Sequence, residues 1–276
     1  MIRAAVLGAD VSKSRSPAIH NAAFEALGVD GTYVAHSVDA AGFPALVQQL
    51  RADGHRYLNV TIPHKEAAAQ LAAAQGPEVR ASGAANTLLL ATPAAPIQAE
   101  NTDGAGLIAA LADLGVAVAG KTIVMVGAGG AAAGAAEALI RADATVLILA
   151  RRAEAAIALN DRLTPAKPKQ FDAAVWTADA LRIAIAKADV LISAVPAAAW
   201  APDDARAGLD ALRPSSAVLE MAYGSVTPLA EATRPRTDRY ADGLGMLVHQ
   251  AARAIELALG VKPPLKPLFR AARQGP

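Results

Sequence analysis

Apolar residues recur along this chain in two alternating patterns. Short apolar runs are followed by stretches with helical spacing, and Gly, Pro, Asn and Asp punctuate the two. Residues 2–7 predict a strand. Ser16-Pro17 predicts a helix start, with Ser16 as N-cap and Pro17 at the first helical position. Ile19, Ala23, Phe24 and Leu27 then share one face, and Gly28 stops the helix. The alternation continues with strand 32–38, helix 43–52 ended by Asp53-Gly54, strand 57–62 and helix 65–74. Residues 86–91 and 96–101 predict a hairpin around Thr92-Pro93, followed by a helix over 104–114.

The second half repeats the alternation. Strands are predicted at 122–126, 145–149, 173–176, 190–193 and 217–221, with helices at 153–163 and 180–186. A long helix, 245–259, is capped by Gly260, and Lys262-Pro263-Pro264 precedes a short last helix. Repeated βα units of this length predict an α/β protein with parallel sheets and right-handed crossovers. Ligands in such sheets bind beyond the carboxyl ends of the strands.

One turn carries more information than the others. The strand 122–126 runs into Gly127-Ala128-Gly129-Gly130-Ala131-Ala132, which opens an alanine-rich helix. That is the layout of a dinucleotide-binding unit. Gly127 permits the tight turn, Gly129 lets backbone approach a pyrophosphate, and small Ala132 lets helix and strand pack closely. The helix N-terminus offers free N–H groups and a positive dipole end to phosphate. The next strand ends at Ala150-Arg151-Arg152. An acidic residue there would suit the ribose 2′-hydroxyl of NAD, whereas two arginines suit a 2′-phosphate, so the expected cofactor is NADP.

Composition narrows the class. The 276 residues are 54% hydrophobic but only 4% aromatic, so the core is expected to be made of small, closely packed side chains. A net charge of +1 with interspersed signs argues against nucleic acid or an anionic membrane as partner. The absence of cysteine excludes disulfides and cysteine metal sites. The five histidines form no metal-ligand spacing, so no metal is expected. No signal peptide precedes the first strand, and no uninterrupted apolar run reaches the roughly 20 residues of a membrane span. A cytoplasmic location is expected.

Several polar residues fall just after predicted strands. They are Ser14 and Ser16, then Asn59, Thr61 and Lys65, then Asn86 and Thr87, then Asn101, Thr102 and Asp103. Lys65 opposes the macrodipole in the first turn of its helix, which suits a base, although taken alone it reads more readily as an exposed lysine partly offset by Glu66. Asp103 reads as an N-cap or as a carboxylate that orients the lysine. Asn86 and Asn101 read as turn residues or as ligand contacts.

The assembled motifs resemble the shikimate dehydrogenase family. The segments are Ser14-Arg15-Ser16-Pro17-Ala18-Ile19-His20-Asn21, Asn59-Val60-Thr61-Ile62-Pro63-His64-Lys65, Gly83-Ala84-Ala85-Asn86-Thr87, Asn101-Thr102-Asp103-Gly104 and Gly243-Leu244-Gly245-Met246-Leu247-Val248-His249-Gln250-Ala251. The resemblance implies a substrate domain over 1–103 completed by 243–276, and a Rossmann-type NADP-binding domain over 104–242. The C-terminal helix is then expected to return to the first domain. Lys65 and Asp103 are implied as the catalytic pair. Ser14 and Ser16, with Tyr223 nearby, are implied at the substrate carboxylate, and Asn59, Thr61, Asn86 and Gln250 at the rest of the substrate. Gly127, Ala128, Gly129, Gly130, Ala131, Arg151, Arg152, Val195 and Gly243 are implied at the cofactor.

The implied reaction is NADP-dependent interconversion of shikimate and 3-dehydroshikimate, in a monomer or homodimer. Two alternatives stand beside it: a quinate/shikimate dehydrogenase, and a ligand-binding paralogue of low activity. Ser193-Ala194-Val195-Pro196-Ala197-Ala198-Ala199 is more apolar than the family's nicotinamide-side segment. Glu220-Met221-Ala222-Tyr223 has Glu where the family has Asp.

Overall fold

The computed structural model describes residues 1–92, 94–163 and 171–274. The chain divides into two compact units, Met1–Gly106 with Leu247–Pro276, and Leu107–Met246. Both boundaries fall inside helices, a few residues beyond the expected 103/104 and 242/243.

The first unit begins with β1 (Ile2–Gly8), α1 (Ser16–Leu27), β2 (Gly31–Ser37), α2 (Phe43–Ala52) and β3 (Tyr57–Val60). It continues with α3 (Lys65–Leu71), β4 (Ala74–Gln75), α4 (Pro77–Ser82), β5 (Thr87–Leu89) and β6 (Gln98–Glu100). Its sheet has the order β2-β1-β3-β5-β6-β4. β1 runs parallel to β2 and β3, while the β5–β6 hairpin runs antiparallel, so the sheet is mixed. Pro93 of the expected hairpin turn lies outside the described residues. Phe43, Val47 and Leu50 of α2 bury one face against Ala5, Leu7, Leu58 and Leu88 of the sheet. Phe43 is fully buried, and truncating such a ring to Ala costs about 3–5 kcal/mol.

Three local expectations need correction. Ser16 is the first helical residue, not the N-cap; Arg15 holds that position without a side-chain cap. The Ser14 hydroxyl instead accepts from the Ser16 N–H at 3.3 Å. β3 stops at Val60, short of the expected 62. α3 ends at Leu71 although alanines continue, because Ala74 and Gln75 pair with Gln98 and Ala99 of β6. Strand pairing outweighs alanine's helix preference there, and Pro77 then opens α4.

α5 (Asp103–Asp113) leads into the second unit. There follow β7 (Thr122–Val126), α6 (Gly130–Arg141), β8 (Thr145–Ala150), α7 (Ala153–Leu163), β9 (Phe171–Val175), α8 (Ala178–Ile185) and β10 (Val190–Ser193). A 3-10 turn at Ala197–Trp200 precedes α9 (Asp203–Arg206), β11 (Ala217–Glu220), α10 (Pro228–Thr233) and β12 (Tyr240–Ala241). The sheet order is β12-β11-β10-β7-β8-β9, every neighbouring pair parallel. This is the doubly wound order, which reverses between β7 and β10 and leaves a crevice at their carboxyl ends. α6 covers one face with Ala132, Ala135, Ala136 and Leu139, all fully buried. Leu181, Ile185 and Trp200 cover the other. Finally α11 (Leu244–Leu259) returns the chain to the first unit, where α12 (Leu265–Gln274) ends it with Leu268 and Ala272 buried.

Candidate functional site

In the first unit, the loops after β1 and β3 lie at the same end of neighbouring parallel strands. They are tied by the Ala9 N–H donating to the Ile62 carbonyl at 3.1 Å. The Asn86–Thr87 and Glu100–Asp103 segments reach the same end from the antiparallel hairpin, where Asn59 faces Thr87 and Thr87 faces Glu100.

Lys65 and Asp103 meet here. Lys65 Nζ donates to Asp103 Oδ2 at 2.5 Å, with the two side chains only 10% and 7% exposed. The exposed reading of Lys65 is thereby overturned. Asp103 is the first residue of α5 rather than its cap; the Thr102 carbonyl accepts the first helical bond, from Gly106. The Asp103 N–H is taken by Asn101 Oδ1 at 3.0 Å, and Asn101 Nδ2 donates to the Ala84 carbonyl at 2.8 Å. Asn101 therefore builds the turn that presents Asp103.

Asn86 is the hub. Its Nδ2 lies 2.9 Å from Asp103 Oδ1, 3.0 Å from Thr102 Oγ1 and 2.8 Å from Gln250 Oε1. Its Oδ1 accepts from the Thr102 N–H at 2.8 Å. Gln250 on α11 joins this cluster across 164 positions of sequence. Asn59, expected at the substrate, is buried with both ends of its amide engaged by Tyr33, Thr87 and the Asn86 carbonyl. It stands behind the cluster. Thr61 is half-buried, and its methyl group crowds Gly8, where any Cβ would lie 2.5 Å from it. Ser14 is half-buried and Ser16 buried at the start of α1.

The second unit has a cavity of about 440 Å³ at the carboxyl ends of its strands. Gly127, Ala128 and Gly129 line it after β7, Ala150, Arg151 and Arg152 after β8, Trp176 after β9 and Val195 after β10, with Ala155 from α7. Gly127 has φ +121°, and a Cβ there would lie 2.9 Å from the Ala194 carbonyl oxygen. Gly129, the N-cap of α6, has open space where a Cβ would project. Gly130 and Ala131 are the first two residues of α6, whose N–H groups have no partner within the helix. A glycine turn, a free helix start and two exposed arginines fit a phosphorylated dinucleotide. Ala150, Ala155 and Trp176 escaped the sequence reading. Their signal is position alone, just past a strand end or on the next helix.

Three other expected residues stand apart from the cavity lining. Gly243 is packed so tightly on Met221 that a Cβ would collide with the Met221 carbonyl, so the chain path requires glycine there. Gly130 and Ala131 open α6 behind the lining residue Gly129. Tyr223 lies in the bend after β11, in the second unit. Ser193 is fully buried, and its hydroxyl accepts from Trp200 Nε1 at 2.9 Å, anchoring the apolar loop from within. Glu220 is likewise buried, accepting from Thr227 and from Tyr240 Oη. Among the described residues no three His, Asp or Glu gather as a metal site. Among them, no helix is long and apolar enough to cross a membrane.

Comparison with known proteins agrees with this geometry. The family model described as shikimate dehydrogenase substrate binding domain matches residues 6–88, and that described as shikimate / quinate 5-dehydrogenase matches residues 110–202. A shikimate dehydrogenase (NADP(+)) of Methanocella arvoryzae is 36% identical over 270 residues, 97% of either chain. One from Rubrobacter xylanophilus is 36% identical over 96% of this chain and 93% of its own. Shikimate 5-dehydrogenase of Thermus thermophilus, solved in complex with NADP(H) and shikimate, superposes with a TM-score of 0.87 at 29% identity, covering 99% of both chains. Mycobacterium tuberculosis shikimate dehydrogenase gives 0.83 at 32% identity over 99% of both. With near-complete coverage and the same two-unit architecture, the chain belongs to the shikimate dehydrogenase family.

Proposed function

We propose that the chain catalyses the reversible, NADP-dependent oxidation of shikimate to 3-dehydroshikimate. The observation that carries this is the buried Lys65–Asp103 pair, wired through Asn86 to Gln250. The net change breaks a carbinol C–H and an O–H bond and leaves a ketone, NADPH and a proton. A bound NADP+ supplies the hydride acceptor. Lys65 Nζ takes the hydroxyl proton during oxidation and returns it to the ketone oxygen during reduction. Asp103 holds the lysine in place, Asn86 holds the Asp103 carboxylate, and Asn86 and Gln250 bind the substrate hydroxyls. The Ser14 and Ser16 hydroxyls bind the substrate carboxylate, with Thr61 as a further polar contact. Asn59 supports Asn86 from behind.

The second unit takes the dinucleotide. The Gly127–Gly129 turn and the start of α6 would hold its pyrophosphate, and Arg151 and Arg152 would pair with its 2′-phosphate. Val195, which lines the same cavity after β10, would border its nicotinamide half.

The test is a steady-state assay with shikimate or quinate and with NADP+ or NAD+. Turnover is expected with shikimate and NADP+, at a kcat within the usual span of about 1–10³ s⁻¹. A higher kcat/KM for quinate with NAD+ would replace the reading by a quinate/shikimate dehydrogenase. Binding of shikimate without turnover would leave a ligand-binding paralogue.

A further inference from the structure

Tyr33 has no part in this chemistry, yet it is buried and its hydroxyl is spent inside the first unit. It heads a run of hydrogen bonds whose direction is forced by backbone groups. The Thr102 N–H can only donate, and it donates to Asn86 Oδ1. The nitrogen of Asn86 is therefore the atom at Asp103 Oδ1, 2.9 Å away. The Asn86 carbonyl can only accept, and it accepts from Asn59 at 3.3 Å. Asn59 thus turns its nitrogen toward Thr87, whose hydroxyl accepts it at 3.0 Å. The Thr87 proton is left to bond Asn86 Oδ1 at 3.0 Å. Asn59 Oδ1 faces Tyr33, whose hydroxyl is then the donor, at 2.8 Å.

Every bond in the run points from Tyr33 toward the Asp103 carboxylate, and the other oxygen of that carboxylate carries Lys65. Donors aligned in one direction polarise one another, so the run is stiffer than its separate bonds. The Tyr33 ring is fixed as well, stacked on His20 at 4.0 Å between centroids.

We infer that Tyr33 is a positioning residue for the reaction: through Asn59, Thr87 and Asn86 it holds the Asp103 carboxylate, and with it Lys65, in the geometry that proton transfer requires. This rests on the proposed role of Lys65 and Asp103. Tyr33→Phe removes the hydroxyl and keeps the ring. Its kcat for shikimate oxidation should fall about tenfold while the shikimate KM stays within about twofold, the split expected when orientation rather than binding is lost. Thr87→Val breaks the same run at its middle and should lower kcat by a similar factor. The double variant should be no slower than the slower single variant, because one run can be broken only once.

A Tyr33→Phe enzyme with kcat within about twofold of wild type would overturn the inference. So would single effects that multiply in the double variant. If Tyr33→Phe is not recovered folded, Thr87→Ser against Thr87→Val decides. Serine keeps the hydroxyl and should keep kcat, and equal rates for the two would overturn the inference. Lys65→Ala separates the two levels of the argument. Wild-type turnover that is lost in Lys65→Ala but unchanged in Tyr33→Phe overturns the inference alone. No wild-type turnover of shikimate overturns the reading of the site and the inference with it.

Discussion

The polar end of the first unit is a set of side chains already bonded to one another. Lys65, Asp103, Asn86, Thr87 and Asn59 are all buried and mutually partnered. The cavity of the second unit is walled largely by backbone: five of its nine lining residues are Gly or Ala, and its arginines are exposed. The difference shows two ways of making a binding surface. A side-chain cluster loses function when any member is removed, because a buried partner left unpaired costs about 1–3 kcal/mol. A backbone surface has little to remove and is damaged by additions instead.

The largest expected effect is in the side-chain cluster. Lys65→Ala should lower kcat by about 10²–10⁴-fold, with smaller change in shikimate affinity and none in NADPH affinity measured by calorimetry. Asp103→Asn should also slow turnover, since the amide keeps the shape and loses the charge. A near-normal kcat in either would remove that residue from the chemistry.

Next come the exposed arginines. Replacing Arg151 and Arg152 together by Ala should raise the KM for NADP+ about 10–100-fold, the range of one lost charge-assisted contact, and leave NAD+ use unchanged. Equal losses with both cofactors would show that the arginines serve the fold or the shared phosphates.

Addition to the backbone surface should act differently. Gly127→Ala puts a Cβ against the Ala194 carbonyl at a φ that L-residues rarely adopt, at a cost of about 1–3 kcal/mol. NADPH affinity and thermal stability should fall together, with shikimate binding retained. Unchanged NADPH affinity would mean that the turn relaxes without moving the cavity wall.

A pH test sharpens the contrast further. Burial drives His20 down to about 3, against an ordinary value of 6.5. The unfolded chain therefore binds the proton first as pH falls. Stability is complete above about pH 6.5 and is lost from there toward about pH 3, with about 2 kcal/mol gone at pH 5. Thermal denaturation at pH 7 and pH 5 should show a larger drop for wild type than for His20→Gln. Parallel drops would place the acid sensitivity elsewhere.

Much of the scaffold was legible because local signals agree with tertiary needs. The run 122–126, the glycine turn and the alanine helix after it each prefer the state they adopt. Arg151 and Arg152, at the next strand end, follow from that register, whereas Ala155 on α7 and Trp176 after β9 carry no local signal of their own. The catalytic cluster was legible only by resemblance. Lys65 and Asp103 are 38 residues apart, and nothing in either segment encodes their meeting. The Tyr33 run is harder still, because a tyrosine in a strand looks like core until its hydroxyl partner is known. Where alanines continued past Leu71, pairing with a distant strand decided the outcome, and no local window contains that strand.

Both tryptophans of the chain, Trp176 and Trp200, belong to the second unit, and their rings lie 4.7 Å apart. At that separation excitation passes between the indoles before either emits, so they behave as one lamp. Trp176 lines the cavity while Trp200 is fully enclosed beside it. An occupant of the cavity that absorbs in the near ultraviolet, as a reduced nicotinamide does, should therefore dim both rings although it can touch only one. The first unit contributes no indole of its own to that signal. The molecule thus carries a built-in light source that reports on one of its two halves.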